Sequence, residues 1–259
     1  MYGLVCLPLV PVRATYNERS EMTSQLLFGE FVQIIEKEEK WIFIINEKDN
    51  YSGWVDVKMI KPISESVYEK GKNSSKTILS NTFNTVKNLQ TNQIMHLPAG
   101  SILYNLKEDI FELGEDKWQI IDKQISKNDF INEEKIVEIA KSYLNAPYLW
   151  GGKSVLGIDC SGLTQVVFSI IDYILPRNAS QQAQIGKQID FLIDVLPGDL
   201  AFFGDEADRI THVGIMIDNS HIIHSSGWVK IESIDSHGII SSLTGEYSHK
   251  LRVIKRILN

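Results

Sequence analysis

The chain has 259 residues, 43% hydrophobic and 23% charged, with a formal net charge of −7. That length suits two or three small domains of ordinary globular composition. The acidic balance argues against nucleic acid or an anionic membrane surface as partner. Two cysteines, Cys6 and Cys160, do not make a disulfide framework. Cys6 lies in the apolar run Leu4-Val5-Cys6-Leu7 and reads as core, and a Cys6–Cys160 bridge is not expected. No apolar run approaches the ~20 residues of a membrane span. The first ten residues lack a basic segment and carry Pro8, so they read as a strand rather than a leader. The expected compartment is the cytoplasm, or the periplasm if a leader was removed from a longer precursor.

In chain order, residues 1–63 read as short strands. Phe31-Val32-Gln33-Ile34-Ile35-Glu36 and Trp41-Ile42-Phe43-Ile44-Ile45 are β-rich and joined by charged residues. Asp49-Asn50-Tyr51-Ser52-Gly53-Trp54-Val55 is a turn followed by a closing strand. So few residues predict a small closed barrel. The pattern Leu27-Phe28-Gly29-Glu30-Phe31-Val32, then Trp41, then Gly53-Trp54-Val55, resembles the bacterial SH3-like domain. Residues 64–80 are polar, with Gly71-Lys72-Asn73-Ser74-Ser75-Lys76 as a linker or exposed loop. Residues 77–127 repeat the barrel theme: Leu97-Pro98-Ala99-Gly100-Ser101-Ile102-Leu103 opens it, and Trp118 sits where Trp41 does in the first. A second, more divergent SH3-like barrel is expected there.

Residues 131–259 read as helices followed by strands. Asn132 can cap a helix over 133–144, with acids in its first turn and Ile136, Ile139, Ala140 and Tyr143 at helical spacing. Pro147 prevents continuation. After the loop Ala146-Pro147-Tyr148-Leu149-Trp150-Gly151-Gly152 comes Ile158-Asp159-Cys160-Ser161-Gly162-Leu163, then an apolar run that fits a buried helix. A short helix at 180–184, a turn into a strand at 196–203, a hairpin over 211–226 and a strand at 251–256 complete an α+β order.

A cysteine at a helix start meets unpaired N–H groups and the positive end of the helix dipole. That setting lowers a thiol pKa from about 8.5 toward roughly 3.5–7.5 and makes a nucleophile. A small buried core residue is the other reading. The hairpin bears on the choice. Thr211-His212-Val213-Gly214-Ile215-Met216-Ile217 and His221-Ile222-Ile223-His224-Ser225-Ser226 flank the turn Asp218-Asn219-Ser220. A three-residue loop pairs Ile217 with His221 and sets Gly214 opposite His224. His212 and His224 then share a face with Cβ atoms roughly 7–8 Å apart; a two-residue loop would separate them. Cysteine, base histidine and orienting group form the arrangement of a thiol hydrolase. A zinc site of Cys160, His212 and His224 is the competing chemistry. His221 and His237 read as surface residues, and His96 is assigned no role.

Pro-Tyr-Leu-Trp-Gly-Gly, Asp-Cys-Ser-Gly-Leu, Leu-Pro-Arg, Leu-Pro-Gly-Asp-Leu and Thr-His-Val-Gly-Ile, in this order over residues 132–259, resemble the NlpC family of papain-like cysteine peptidases, which cut bacterial cell-wall peptides. The resemblance implies helices packed on an antiparallel sheet, with Cys160 as nucleophile, His212 as base and His224 as orienting residue. It implies no cofactor and no metal. With two barrels in front, the chain resembles the γ-D-glutamyl-L-diamino-acid dipeptidyl peptidases of muropeptide recycling. That group implies a first barrel closing one end of the cleft, with Glu21 and Tyr51 binding the free amine of the substrate's L-Ala. Asp159, Ser161 and Ser180 are further candidate contacts, and Tyr148 a polar wall. Arg177 meets either a D-Glu carboxylate or a structural ion-pair partner. The expected activity is hydrolysis of the bond from the D-Glu γ-carboxyl to L-lysine or meso-diaminopimelate, by a monomer. The alternatives are a wall-cleaving endopeptidase tethered by its barrels and a silent peptidoglycan-binding module.

Overall fold

A computed structural model describes residues 1–122, 133–205 and 209–258. The chain divides into two compact units, Met1–Lys127 and Asn128–Asn259. Among the described residues, no helix is long and apolar enough to cross a membrane.

The first unit holds two antiparallel sheets, of seven and six strands. The seven-stranded sheet includes Phe31–Glu38 and Trp41–Asn46, paired from Val32↔Asn46 to Glu38↔Trp41. Their alternation buries Val32, Ile42 and Ile44 with Val10, Val12 and Val55 in one core. The six-stranded sheet places Phe111 opposite Trp118. A second core spans both sheets, joining Leu4, Phe28 and Phe31 to Leu103, Phe111 and Trp118. Across the seam Ile102 N–H donates to the Phe28 carbonyl at 2.9 Å, and the Tyr104 hydroxyl to the Gly29 carbonyl at 2.7 Å. The polar stretch between the sheets contains a helix, Glu65–Lys72, which takes in Gly71 and Lys72, the first two residues of the expected linker. The Ser64 hydroxyl caps it by accepting from Val67 N–H, and it buries Tyr68 against Tyr2 and Phe31. Gly71 allows the approach, because a Cβ there would lie 2.4 Å from Phe31 Cζ. One buried tyrosine in a polar helix leaves little periodic signal to read.

The second unit begins with the helix Glu133–Lys141, which buries Ile136, Ile139 and Ala140 as their spacing predicts. It ends three residues short of the expected 144; Asn132 lies outside the described residues. The helix Cys160–Ile170 is buried along its whole length, and its polar residues Ser161, Thr164, Gln165 and Ser169 hydrogen-bond within the protein. The sheet is antiparallel, as expected, and it is closed. Tyr247–Arg256 is ten residues long and pairs with Leu200–Gly204 through one half and Gly238–Ile240 through the other. With Ile210–Met216, His221–Ser226 and Trp228–Ile234 between them, six antiparallel strands close into a barrel, and Lys187–Ile189 pairs outside on Tyr247–Arg256. Register shifts at Phe202/Phe203 and Ile239/Ile240 bend the strands at the closure.

Candidate active site

Two glycines shape the loop before the helix. Gly152 and Gly162 meet where a Cβ on Gly162 would lie 2.3 Å from the Gly152 carbonyl oxygen, so only hydrogen fits there. Asp159 caps the helix: its Oδ1 accepts from Gly162 N–H at 2.7 Å and its Oδ2 from Gly151 N–H at 2.8 Å. The same carboxylate binds Arg177 through both guanidinium nitrogens, and Arg177 also donates to the Ser161 hydroxyl at 2.8 Å. All three are buried. Arg177 therefore pairs with Asp159, the structural alternative of the two expected for it. The polar atoms of Asp159 and Ser161 are engaged within the protein rather than presented to a ligand. This network fixes Cys160 as the first residue of the helix.

The hairpin has the three-residue turn that places both histidines on one face. Gly214 pairs with His224, Ile215 with Ile223 and Met216 with Ile222. A Cβ on Gly214 would lie 2.9 Å from His224 Cβ, so the glycine leaves room for the imidazole. His212 Nε2 and His224 Nδ1 lie 2.9 Å apart. Backbone N–H groups of Val213 and Ser161 are directed at the Cys160 sulfur, which sets the thiol beside the strand that carries His212.

Sequence reasoning missed two residues here. Glu232 Oε2 lies 2.9 Å from His224 Nε2, and its Oε1 accepts from the N–H and hydroxyl of Ser242, both at 2.8 Å. Lys230 stands 3.3 Å from the same Oε1. His249 stacks on His212, with ring centroids 4.1 Å apart. His249 comes from the strand that closes the barrel, and Glu232 from the hairpin strand Trp228–Ile234. Glu232 shares a face with Ile222, its directly opposed partner, while its neighbour Ile231 is exposed. An acid inside and an isoleucine outside invert the usual pattern, so no local signal marked it.

Burial governs the electrostatics. It pushes the Cys160 thiol up to about 11, with the Asp159 charge adding to the rise, while the Val213 and Ser161 N–H groups and Arg177 pull the other way. The expected lowering by the helix start is thus outweighed at this buried sulfur. Burial also holds His212 well below its ordinary value, helped by the positive charges His249, His224 and Lys230 carry when protonated. Burial lowers His224 too, against the opposing pull of Glu232. Burial raises the Glu232 carboxyl, but the hydrogen bonds from His224 and Ser242 together outweigh it and hold it at about 2. Glu232 is ionised at neutral pH.

The remaining expected site residues sit as follows. Tyr148 is half-buried beside Cys160 and Asp159; burial, then those two neighbours, push its hydroxyl up to about 12. Ser180 is exposed on the short helix Ala179–Gln182. In the first unit Glu21 is exposed just before Met22–Leu27, and Tyr51 packs partly buried on the barrel core. Both cysteines are free thiols. Among the described residues, the group able to gather round a metal ion is His212, His224 and His249, with ligand atoms within 4.8 Å of one another. Both nitrogens of His224 and one of His212 are already engaged by each other and by Glu232.

The described features agree with known proteins. Residues 145–251 match the model of the NlpC/P60 family and residues 12–60 that of the bacterial dipeptidyl-peptidase SH3 domain. The chain is 30% identical over 246 residues to the gamma-D-glutamyl-L-lysine dipeptidyl-peptidase of Bacillus subtilis, covering 82% of this chain and 77% of that one. This chain belongs to the NlpC/P60 family. It is a peptidase of that family with an amino-terminal SH3 domain. It is also 27% identical over 258 residues to dipeptidyl-peptidase 6 of Lysinibacillus sphaericus, covering 91% and 92% of the two chains. The crystal structure of an NlpC/P60 family protein from Bacillus cereus has the same fold, with a TM-score of 0.86 over the full length of both chains at 17% identity.

Proposed function

We propose that the chain is a papain-like cysteine peptidase that cleaves the bond between the γ-carboxyl of D-Glu and L-lysine or meso-diaminopimelate, in peptides with a free amino-terminal L-Ala. The observation that carries this reading is the helix-start thiol of Cys160 beside the strand of His212, whose ring is in turn held by His224. The Bacillus subtilis and Lysinibacillus relatives, which align over most of the chain, are named for dipeptidyl-peptidase activities that support the substrate class.

His212 takes the thiol proton as sulfur attacks the γ-carbonyl carbon. The N–H of Cys160, free at a helix start, receives the developing oxyanion, a donor type worth about 10²–10³ in kcat. His212 then gives the proton to the departing amine, and water resolves the thioester by the reverse proton path. Tyr148 and Ser180 line the approach to the sulfur. Asp159 and Ser161 hold its loop through Arg177.

Glu21 and Tyr51, from the SH3-like domain, are the proposed partners of the L-Ala ammonium, a carboxylate being the natural partner of that cation. The six-stranded sheet shares its core with the first sheet and so supports it. An acylated amine would leave Glu21 facing an amide, so intact wall is a poor substrate.

The test pairs L-Ala-γ-D-Glu-L-Lys with its N-acetyl form. Turnover of the free tripeptide alone, abolished in Cys160→Ala, supports the reading. Equal turnover of both forms would make the protein a wall-cleaving endopeptidase instead.

A further inference from the structure

The hydrogen bonds around Glu232 settle which nitrogen of each histidine carries the proton. Glu232 Oε1 is surrounded by donors: Ser242 N–H and hydroxyl at 2.8 Å and the Lys230 ammonium at 3.3 Å. Its Oε2 faces His224 Nε2 at 2.9 Å, and both side chains are fully buried. An ionised carboxylate only accepts, so His224 Nε2 is the donor. A neutral imidazole has one N–H, which makes His224 Nδ1 a bare acceptor. That nitrogen faces His212 Nε2 at 2.9 Å, so the shared hydrogen belongs to His212. His212 Nδ1 then keeps its lone pair.

We propose that Glu232 is a positioning residue that sets the tautomers of His224 and His212, so that His212 Nδ1 stands ready to take the Cys160 proton. The inference rests on Cys160 being the nucleophile. When the S–H bond breaks, the N–H bond forms on Nδ1 and the sulfur electron pair goes to the carbonyl carbon. No proton passes on to Glu232. Its buried charge reaches the resulting imidazolium through His224.

Glu232→Gln tests this, because the environment dictates how the amide sits. Three donors converge where Oε1 lies, so the amide oxygen occupies that place and the NH₂ turns to His224. His224 Nε2 must then accept, His224 Nδ1 carries the hydrogen, His212 Nε2 accepts, and His212 Nδ1 is protonated and useless as a base. The substitution is isosteric, so the fold is retained. The expected result is a kcat lower by about 10³-fold or more with KM little changed, the size of effect a wrong tautomer produces. Nitrogen-15 NMR in a Cys160→Ala background, where no thiol donates, should show N–H on Nε2 of both histidines with Glu232 in place. The same spectra of the E232Q variant should show N–H on Nδ1 of both. N–H on Nδ1 of His212 with Glu232 present would overturn the proposal before any variant is made. So would E232Q turnover equal to that of the parent while Cys160→Ala is dead. Turnover by Cys160→Ala itself would instead overturn the nucleophile assignment, and the nitrogen spectra would still report on Glu232.

Discussion

The imidazole of His249 lies face to face with that of His212, 4.1 Å between centroids and 28° between planes. His224 meets the same ring edge-on, at 5.1 Å and 85°. The base proposed for catalysis is thus clamped on its face by one ring and at its edge by another. Aromatic pairs of this kind contribute about 0.5–1.5 kcal/mol. His249→Phe, which keeps a flat ring, is expected to hold kcat within about threefold. His249→Ala is expected to lose about tenfold as the His212 ring gains freedom. Steady-state kinetics on the tripeptide compare the two.

Gly162→Ala should be disruptive although alanine favours helices. Its Cβ would stand 2.3 Å from the Gly152 carbonyl oxygen and 3.0 Å from Asp159 Oδ1. The first of these is backbone in the loop that positions Cys160, so it yields only by moving that loop. Overpacking of this kind costs about 1–3 kcal/mol. Chemical denaturation should show a loss of that size, and alkylation of Cys160 by iodoacetamide should change in rate.

Arg177 and Asp159 form a buried, doubly hydrogen-bonded pair. Removing one partner leaves an uncompensated charge, at a cost of about 3–5 kcal/mol. Arg177→Met is therefore expected to destabilise by that amount. Arg177→Met with Asp159→Asn should recover part of it, because asparagine still caps the helix. Equilibrium unfolding of the two variants checks the order; equal losses would mean that Arg177 matters through packing alone.

Three sheltered imidazoles predict an acid-sensitive fold. His212, His224 and His249 all have depressed pKa values, with burial the leading cause, and His249 falls to about 4. Unfolded histidine titrates near 6.5, so below that pH the unfolded chain binds protons that the folded one refuses. Stability is complete above about 6.5 and falls as pH drops toward 4, by up to about 1.4 kcal/mol per pH unit for each histidine. Glu232, held at about 2, acts at lower pH, its contribution being lost as pH falls from about 4.3 through 2. Urea midpoints between pH 8 and 5 should decline below 6.5, and less steeply in His249→Phe.

Local sequence disclosed the centre of the site and not its frame. Cys160 stood at a glycine-rich helix start, and the turn length at Asp218-Asn219-Ser220 was enough to set Gly214 opposite His224. Both facts need only a few neighbouring residues. His249 depends on how Tyr247–Arg256 closes the barrel by pairing with both Gly238–Ile240 and Leu200–Gly204, which no local period encodes, and Glu232 is an acid on the inner face of a hairpin strand, against the usual alternation. The thiol's electrostatics were misjudged for a related reason. The helix start was visible in sequence, but the depth of burial that pushes Cys160 up to about 11 is a property of the packed unit. In the first unit the shared core of Phe28, Phe111 and Trp118 joined two sheets that the repeated pattern suggested were separate barrels.

Trapping the acyl-enzyme is the decisive measurement of whether Cys160 is the nucleophile. Protein quenched in acid during turnover of L-Ala-γ-D-Glu-L-Lys and digested should yield a Cys160 peptide carrying L-Ala-γ-D-Glu as a thioester, seen by mass spectrometry. That adduct is expected in the parent protein, is absent with the N-acetylated tripeptide, and is lost in His212→Ala. Turnover of the tripeptide with no adduct on Cys160, or an adduct that forms as fast without His212, would contradict these expectations.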